Sequence, residues 1–241
     1  MTGADVGSQQ LLFASNKILA TVPPGLRAEL LEAAERVDMP KRSILFQQGD
    51  VTDRLIFPIE TAVLGLSISL ADRAVPVALL DSYHAAGTSS PGAPYPVTAT
   101  ATVLLSGPAL VVPHILIGSM IRRSREVSDA VARANDALLA QLMQGTACHL
   151  RHGLEARLAD RLYALHLLGG QCEIAMTHNE LADLLVAQRT SITAAATALQ
   201  QRGLIDYRRG QIVVRNADGL AITGCGCWKA VAAHRRRLFG C

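Results

Sequence analysis

The alternation of apolar and polar positions divides the chain into three stretches. Over residues 11–38, Leu26, Leu30, Leu31 and Ala34 sit at helical spacing, so this segment reads as helices broken at Pro23 and Pro24. From Ser43 the pattern changes to short runs rich in Val, Ile and Leu: Ile44–Phe46, Leu55–Phe57, Ala62–Leu70, Val75–Leu80, Val97–Leu105 and Ala109–Val112. Gly49-Asp50, Ala71-Asp72 and Gly107-Pro108 punctuate them as turns. Short strands in succession predict an antiparallel barrel or jelly roll. Ser124 to Leu150 has no proline and few β-branched residues, which predicts one long helix. Val127, Val131, Ala134 and Leu138 recur along it at four, three and four, and Leu142 and Gly145 extend the stripe. Such a seam fits a two-helix coiled contact. The same spacing also serves packing against the chain's own barrel. A further helix over Leu154–Leu168 places Leu158, Leu162 and Leu165 behind whatever follows.

Residues 177–215 carry the most specific pattern. Thr177 and Glu180 form a Thr-x-x-Glu capping box, a helix start. Leu181, Leu184 and Leu185 follow at helical spacing, and Val186 and Ala187 make a turn. A second helix begins near Gln188. Its inward face is Ile192, Ala196 and Leu199; its outward face carries Arg189, Thr190, Thr193 and Thr197. Arginine can pair with guanine, and the threonine methyl can touch the methyl of thymine. Gly203 ends the helix. Leu204, Ile205 and Tyr207 predict one strand and Ile212, Val213 and Val214 another, with Arg208, Arg209 and Gly210 between them. Two cations on an exposed turn suit phosphate. Helix, tight turn, helix and basic hairpin, in that order, make a winged helix-turn-helix. The bland alternative is two core helices and a hairpin with solvated arginines.

Charge adds direction to this picture. The net charge is +3. Residues 1–149 hold 11 Lys+Arg and 13 Asp+Glu, and residues 150–241 hold 12 and 7, so the balance shifts from −2 to +5 toward the helix-turn-helix. Half the residues are hydrophobic, enough for real cores, yet no apolar run approaches the ~20 residues that span a membrane. No basic start leads into an apolar block, so the protein is expected in the cytoplasm. Five cysteines, at 148, 172, 225, 227 and 241, are too scattered for a disulfide framework. Cys225-Gly226-Cys227 has one intervening residue where a typical metal knuckle has two, so no metal site is expected there. Buried or incidental thiols are the plain reading, and a redox role is the alternative. No nucleophile elbow, P-loop or paired catalytic carboxylates appear, and the chain is not expected to be an enzyme.

The helix-turn-helix resembles that of the Crp/Fnr superfamily of bacterial transcription regulators. The match runs through Thr177, Glu180, Leu181, Ala182, Leu184, Leu185, Arg189, Ser191, Ile192, Leu199, Gly203, Leu204 and Ile205. Arg189 falls on the family's base-reading arginine. Val186 stands where the family usually carries Gly, and Ala194 at a second contact position that is often Arg. Gln48-Gly49-Asp50 and Leu55-Ile56-Phe57-Pro58 resemble the family's cyclic-nucleotide-binding-like domain. The resemblance implies an α+β fold. Residues 1–121 would form the sensor-like jelly roll with its N-terminal helices, 122–152 a connector and dimerisation helix, and 153–241 the winged helix-turn-helix. It implies double-stranded DNA as partner, with a palindromic operator read by a homodimer, and RNA polymerase as a further partner. The DNA-contacting set would be Arg189, Thr190, Thr193, Gln188, Ser191, Thr177, His178, Arg208 and Arg209.

Nucleotide-binding relatives hold ribose and phosphate with a Gly-Glu pair and a later Arg. Between Ala74 and Ile121 this chain has one charged residue, Asp81, and no Glu, Lys or Arg. A cyclic nucleotide is therefore not expected, and no cofactor is. The jelly roll is either a scaffold or the container of an apolar or neutral effector. His84 and His114 read as hydrogen-bonded structural residues, with metal or haem ligation as the alternative. Some iron–sulfur relatives carry an N-terminal cysteine cluster, but no cysteine here precedes Cys148. The closing His234-Arg235-Arg236-Arg237 reads as a basic tail that touches phosphate or frays in solvent.

Overall fold

The computed structural model describes residues 13–71, 73–87, 95–208 and 210–240. A first helix, α1 (Pro24–Ala33), starts at a proline, whose missing N–H costs nothing in a first turn. The strands β1 (Glu35–Met39), β2 (Ile44–Phe46), β3 (Arg54–Pro58), β4 (Val63–Leu70), β5 (Arg73–Leu80), β6 (Thr100–Leu105) and β7 (Gly107–Pro113) follow. They form two antiparallel sheets, ordered β1-β7-β3 and β2-β6-β4-β5. Met39, Phe46, Leu64, Leu80, Val103 and Ala109 from both sheets share one apolar cluster between them. The arrangement is a jelly roll and not a single closed barrel.

Strand β1 corrects the helical reading of residues 11–38. Glu35, Arg36 and Asp38 carry no strand signal of their own, but β1 pairs along its length with β7, from Glu35↔Val111 to Met39↔Gly107. The ladder supplies what propensity lacks.

Helix α2 (His114–Arg123) leads into the long helix α3 (Arg125–Arg151), capped by the Ser124 hydroxyl, which accepts from the Val127 amide at 3.3 Å. The apolar stripe seen in the sequence packs on this chain's own jelly roll. Val127 and Ala134 are buried in a cluster with Leu55, Phe57 and Ile117, and Leu138 packs against the inter-sheet cluster. Gln141 fastens the next turn through a pair of hydrogen bonds to the Leu79 backbone, 3.0 and 2.9 Å. A different face of α3 stays exposed, with Leu139, Met143 and Leu150.

After the break at His152-Gly153 come α4 (Leu154–Gly169), a short strand β8 (Glu173–Ile174), α5 (His178–Leu185), α6 (Arg189–Gln201), β9 (Ile205–Arg208), β10 (Gln211–Val214), α7 (Ala217–Thr223) and α8 (Cys227–Phe239). Leu158, Leu162 and Leu165 of α4 are fully buried behind α5 and α6. Val63 and Leu79 of the jelly roll belong to that same cluster, so the C-terminal domain is packed directly on the four-stranded sheet. Among the described residues, no helix is long and apolar enough to cross a membrane.

The basic C-terminal segment is not a frayed end. It is helix α8, which packs along α3. Asp160 of α4 caps it, accepting from the amides of Gly226 (3.1 Å) and Trp228 (2.9 Å). Within the His234–Arg237 run the helical period turns Arg235 inward and leaves Arg236 and Arg237 outside. Arg235 is 7% exposed and donates to the carboxylate of Asp81. Its guanidinium also lies 4.2 Å from the centre of the Tyr83 ring and 5.1 Å from that of Trp228. Asp81 meets His84 Nδ1 at 3.0 Å as well. His84 is thus a structural partner, as its lone occurrence suggested. Burial alone would raise the Asp81 carboxyl, but the His84 hydrogen bond and the charges of His84 and Arg235 outweigh it and hold it at about 2.

A group whose folded pKa is depressed stabilises above its unfolded value and loses that contribution as pH falls through the folded one. Asp81→Asn is therefore expected to cost about 3–5 kcal/mol at neutral pH, the range for breaking a buried pair. Urea unfolding at stepped pH should show this gap closing as pH falls from about 4 toward about 2. A gap unchanged over that window would rule out the ionised pair.

Candidate nucleic-acid interface

The interface begins with a fully formed capping box. Thr177 Oγ1 accepts from the Glu180 amide at 3.2 Å, and Glu180 Oε2 accepts from the Thr177 amide at 2.8 Å. The other oxygen of Glu180 is held by two cations of the jelly roll, Lys41 Nζ at 3.0 Å and Arg42 Nε at 2.9 Å. Burial would raise the Glu180 carboxyl, but Arg42, Thr177 and Lys41 together hold it at about 2. Lys41 also donates to the Ala175 carbonyl. Lys41 and Arg42 were not singled out from the sequence, because a turn between two strands carries no sign of what faces it. The left-handed backbone at Arg42 (φ 71°), rare outside glycine, marks the spot only in three dimensions.

The helix-turn-helix turn is made by Val186, which takes a left-handed conformation (φ 49°, ψ 58°) and closes α5 by donating to Asp183 O at 3.2 Å. Helix α6 then buries Ile192, Ala195, Ala196 and Leu199 against α4. Its end is a Schellman arrangement: the Leu204 amide donates to Leu199 O at 3.0 Å and Gly203 N to Gln200 O at 2.9 Å, with Gly203 at φ 68°. Strands β9 and β10 pair from Ile205↔Val214 to Arg208↔Gln211, and β8 joins the free edge of β10.

The residues expected to contact DNA fall into two groups. Gln188, Arg189, Thr190 and Ser191 are exposed together on the N-terminal turn of α6, and Arg208 is exposed at the end of β9. Arg209 lies outside the described residues. The others have structural partners. The Thr177 hydroxyl caps α5. His178 stacks on Tyr207 of the wing, ring centres 4.0 Å apart, and its Nδ1 lies 3.0 Å from Thr193 Oγ1. Thr193 also donates to the Arg189 carbonyl at 3.0 Å. His178 therefore ties α5, α6 and the wing into one unit. Burial first, and the nearby Arg189 charge second, lower its pKa. Gln188 and Arg189 also line a groove of about 1120 Å³ between the helix-turn-helix and strands β4 and β5.

Residues 156–222 match the Crp-like helix-turn-helix domain family. The whole fold is similar to FixK2 from Bradyrhizobium japonicum (TM-score 0.66, 16% identical, covering 80% of this chain and 98% of that one). It is similar also to a putative Crp/Fnr-family transcriptional regulator of Eubacterium rectale (0.63, 17%, 83% and 94%) and to a CRP-family regulator of Thermus thermophilus (0.63, 17%, 78% and 95%). The chain shares the fold of these regulators, and residues 156–222 carry a Crp-like helix-turn-helix domain. No curated protein matches its sequence.

Within this helix-turn-helix the turn residue stands out. A β-branched residue in the left-handed region costs about 1–2 kcal/mol, and Val186 is 50% exposed, so little burial offsets that cost. Val186→Gly is expected to stabilise the domain by about 1 kcal/mol after the entropy of a glycine in the unfolded chain. Calorimetry should show Tm rising by about 2–4 °C. A fall in Tm would mean that Val186 packs where its exposure says it does not.

Proposed function

We propose that the protein is a sequence-specific, homodimeric DNA-binding transcription regulator of the cytoplasm, with RNA polymerase as a further partner, and that no anionic cyclic nucleotide gates it. The observation that carries this reading is the exposed turn of Gln188, Arg189, Thr190 and Ser191 on a helix whose opposite face is fully buried. A helix seated this way presents its N-terminal side chains to base edges when laid in a major groove. Arg189 reads guanine through its two-pronged guanidinium, Thr190 and Thr193 offer methyls, and Gln188 and Ser191 add polar contacts. Thr177 and His178 serve the interface by fixing α5 against α6. Arg208, with Arg209, meets phosphate and sets register.

The dimer is formed through the exposed face of α3. Leu139, Met143 and Leu150 recur there at four and seven, the spacing of a two-helix seam. Two copies so joined suit half-sites about one helical turn apart.

The jelly-roll cavity supports the exclusion of an anionic nucleotide and favours a neutral effector as a second reading. It measures about 390 Å³ and is lined by Phe46, Leu55, Phe57, Leu80, Val131 and Leu138 among others, with no Lys, Arg, Asp or Glu among its described lining residues. A phosphate needs a cation or an array of donors.

Fluorescence anisotropy on a selected operator, across a salt series, tests the reading. Arg189→Ala should lose about 1–3 kcal/mol on the operator and little on random DNA, and Arg208→Ala should weaken both alike and reduce the salt slope by about 1. Equal losses for Arg189→Ala on both DNAs would remove base reading from that residue. Leu139→Glu should shift the protein toward monomer in sedimentation velocity, and an unchanged sedimentation coefficient would place any dimer elsewhere.

A further inference from the structure

We propose that Cys148, His152, Cys225 and Cys227 form a binding site for one thiophilic divalent cation, with zinc(II) the best match. Cys148 lies in the last turn of α3 and His152 directly follows it; Cys225 and Cys227 come from the loop that opens α8. Segments more than seventy residues apart thus converge, and the four ligand atoms all lie within 4.8 Å of one another. Cys148 Sγ and Cys225 Sγ are 3.5 Å apart, as are Cys227 Sγ and His152 Nδ1. A tetrahedral ion with metal–sulfur bonds of about 2.3 Å and a metal–nitrogen bond of about 2.0 Å sets its ligands roughly 3.5–3.8 Å apart. The sulfur pair is well beyond the ~2.05 Å of a disulfide. The gathering holds a single ion; a multi-iron cluster needs its cysteines farther apart.

Three thiolates and one imidazole are the donor set of a closed structural zinc site, with no position left for water or substrate. Soft sulfur donors disfavour magnesium and calcium. Ligation deprotonates the three thiols and releases their protons to solvent, and His152 binds as neutral imidazole through Nδ1.

The surroundings are built to the same plan. Asp160 accepts from the Gly226 and Trp228 amides, which fixes the cysteine loop. Gly224 runs so close to Asp160 that a Cβ there would lie 3.0 Å from its Cα. Gln144 Nε2 donates to Cys227 Sγ at 3.2 Å, an outer hydrogen bond of the kind that tunes a ligated sulfur. The one-residue spacing of Cys225 and Cys227 hid the site in the sequence, because its other two ligands lie more than seventy residues earlier, at the end of α3.

The position gives the ion a task. His152-Gly153 is the break between α3 and α4, and α8 returns to pack on α3. An ion there staples the connector, the joint and the last helix together.

The test uses the full-length protein, reduced with a phosphine and titrated anaerobically with cobalt(II). One equivalent should give the intense visible bands of tetrahedral cobalt and a sulfur-to-cobalt charge-transfer band, and one equivalent of zinc should bleach both. Cys225→Ser should weaken cobalt binding by more than about 100-fold, beyond what an outer-shell change produces. Cys172→Ser, an exposed cysteine outside the cluster, should bind as wild type. His152→Cys keeps four ligands and should strengthen the charge-transfer band, which decides the matter even if Cys225→Ser does not fold. Octahedral or absent cobalt spectra in the reduced wild type would overturn the proposal. So would wild-type affinity in Cys225→Ser, or an unchanged charge-transfer band in His152→Cys.

Discussion

The structure depends on one carboxylate that has no solvent to turn to. Asp81 sits in a jelly roll whose neighbouring chain, for some forty residues, carries no Lys or Arg, and its near partner there is His84. An unpaired buried charge would cost more than such a domain can lose. The counter-charge comes from Arg235, on α8, held over Tyr83 and Trp228. That requirement draws α8 across α3 and onto the jelly roll, and makes α8 and the jelly roll one packing unit. The loop of Cys225 and Cys227 and the cap by Asp160 lie on the path that α8 must take.

A second constraint joins the domains from the other side. Glu180 is at once the reciprocal partner of Thr177 in the capping box and the anion for Lys41 and Arg42. The start of the first helix of the helix-turn-helix is therefore shared with the turn between β1 and β2. Below it, Val63 and Leu79 extend the core of the C-terminal domain into the sheet. The turn of the jelly roll thus touches α5 through one carboxylate, and α5 touches α6 through the contact between His178 and Thr193.

What could be read from the sequence was what is decided within a few residues. The capping box at Thr177 and Glu180, the stop at Gly203 and the apolar runs of β4 to β7 are local signals, and those elements stand near where the signals put them, but Gly107 and Pro108, read as a turn, are the first residues of β7, paired with Met39 and Asp38 of β1. Strand β1 was not legible, because its charged residues become a strand only when β7 offers a ladder. The arginine run was misread as a tail for a similar reason. A period that places Arg235 inside is visible only once something inside needs a cation. The stripe on α3 was legible as a stripe but not as to its partner: Val131 and Leu138 face the chain's own core, while Leu139 and Met143 one residue round remain outside. At the interface, residue type pointed to Arg189 and Thr190. It was blind to the hydroxyl of Thr193, which the domain uses to hold itself together.

The pairing of Asp81 with Arg235 spans 154 residues, and this has a consequence for biosynthesis. At ~5–20 residues per second, the carboxylate leaves the ribosome roughly 8–30 s before its counter-charge exists. Until then the jelly roll must keep Asp81 wet or protonated. The jelly roll is thus finished only after α8 has been made, and a nascent chain that stalls short of α8 exposes an incomplete jelly roll to the quality-control machinery of the cell.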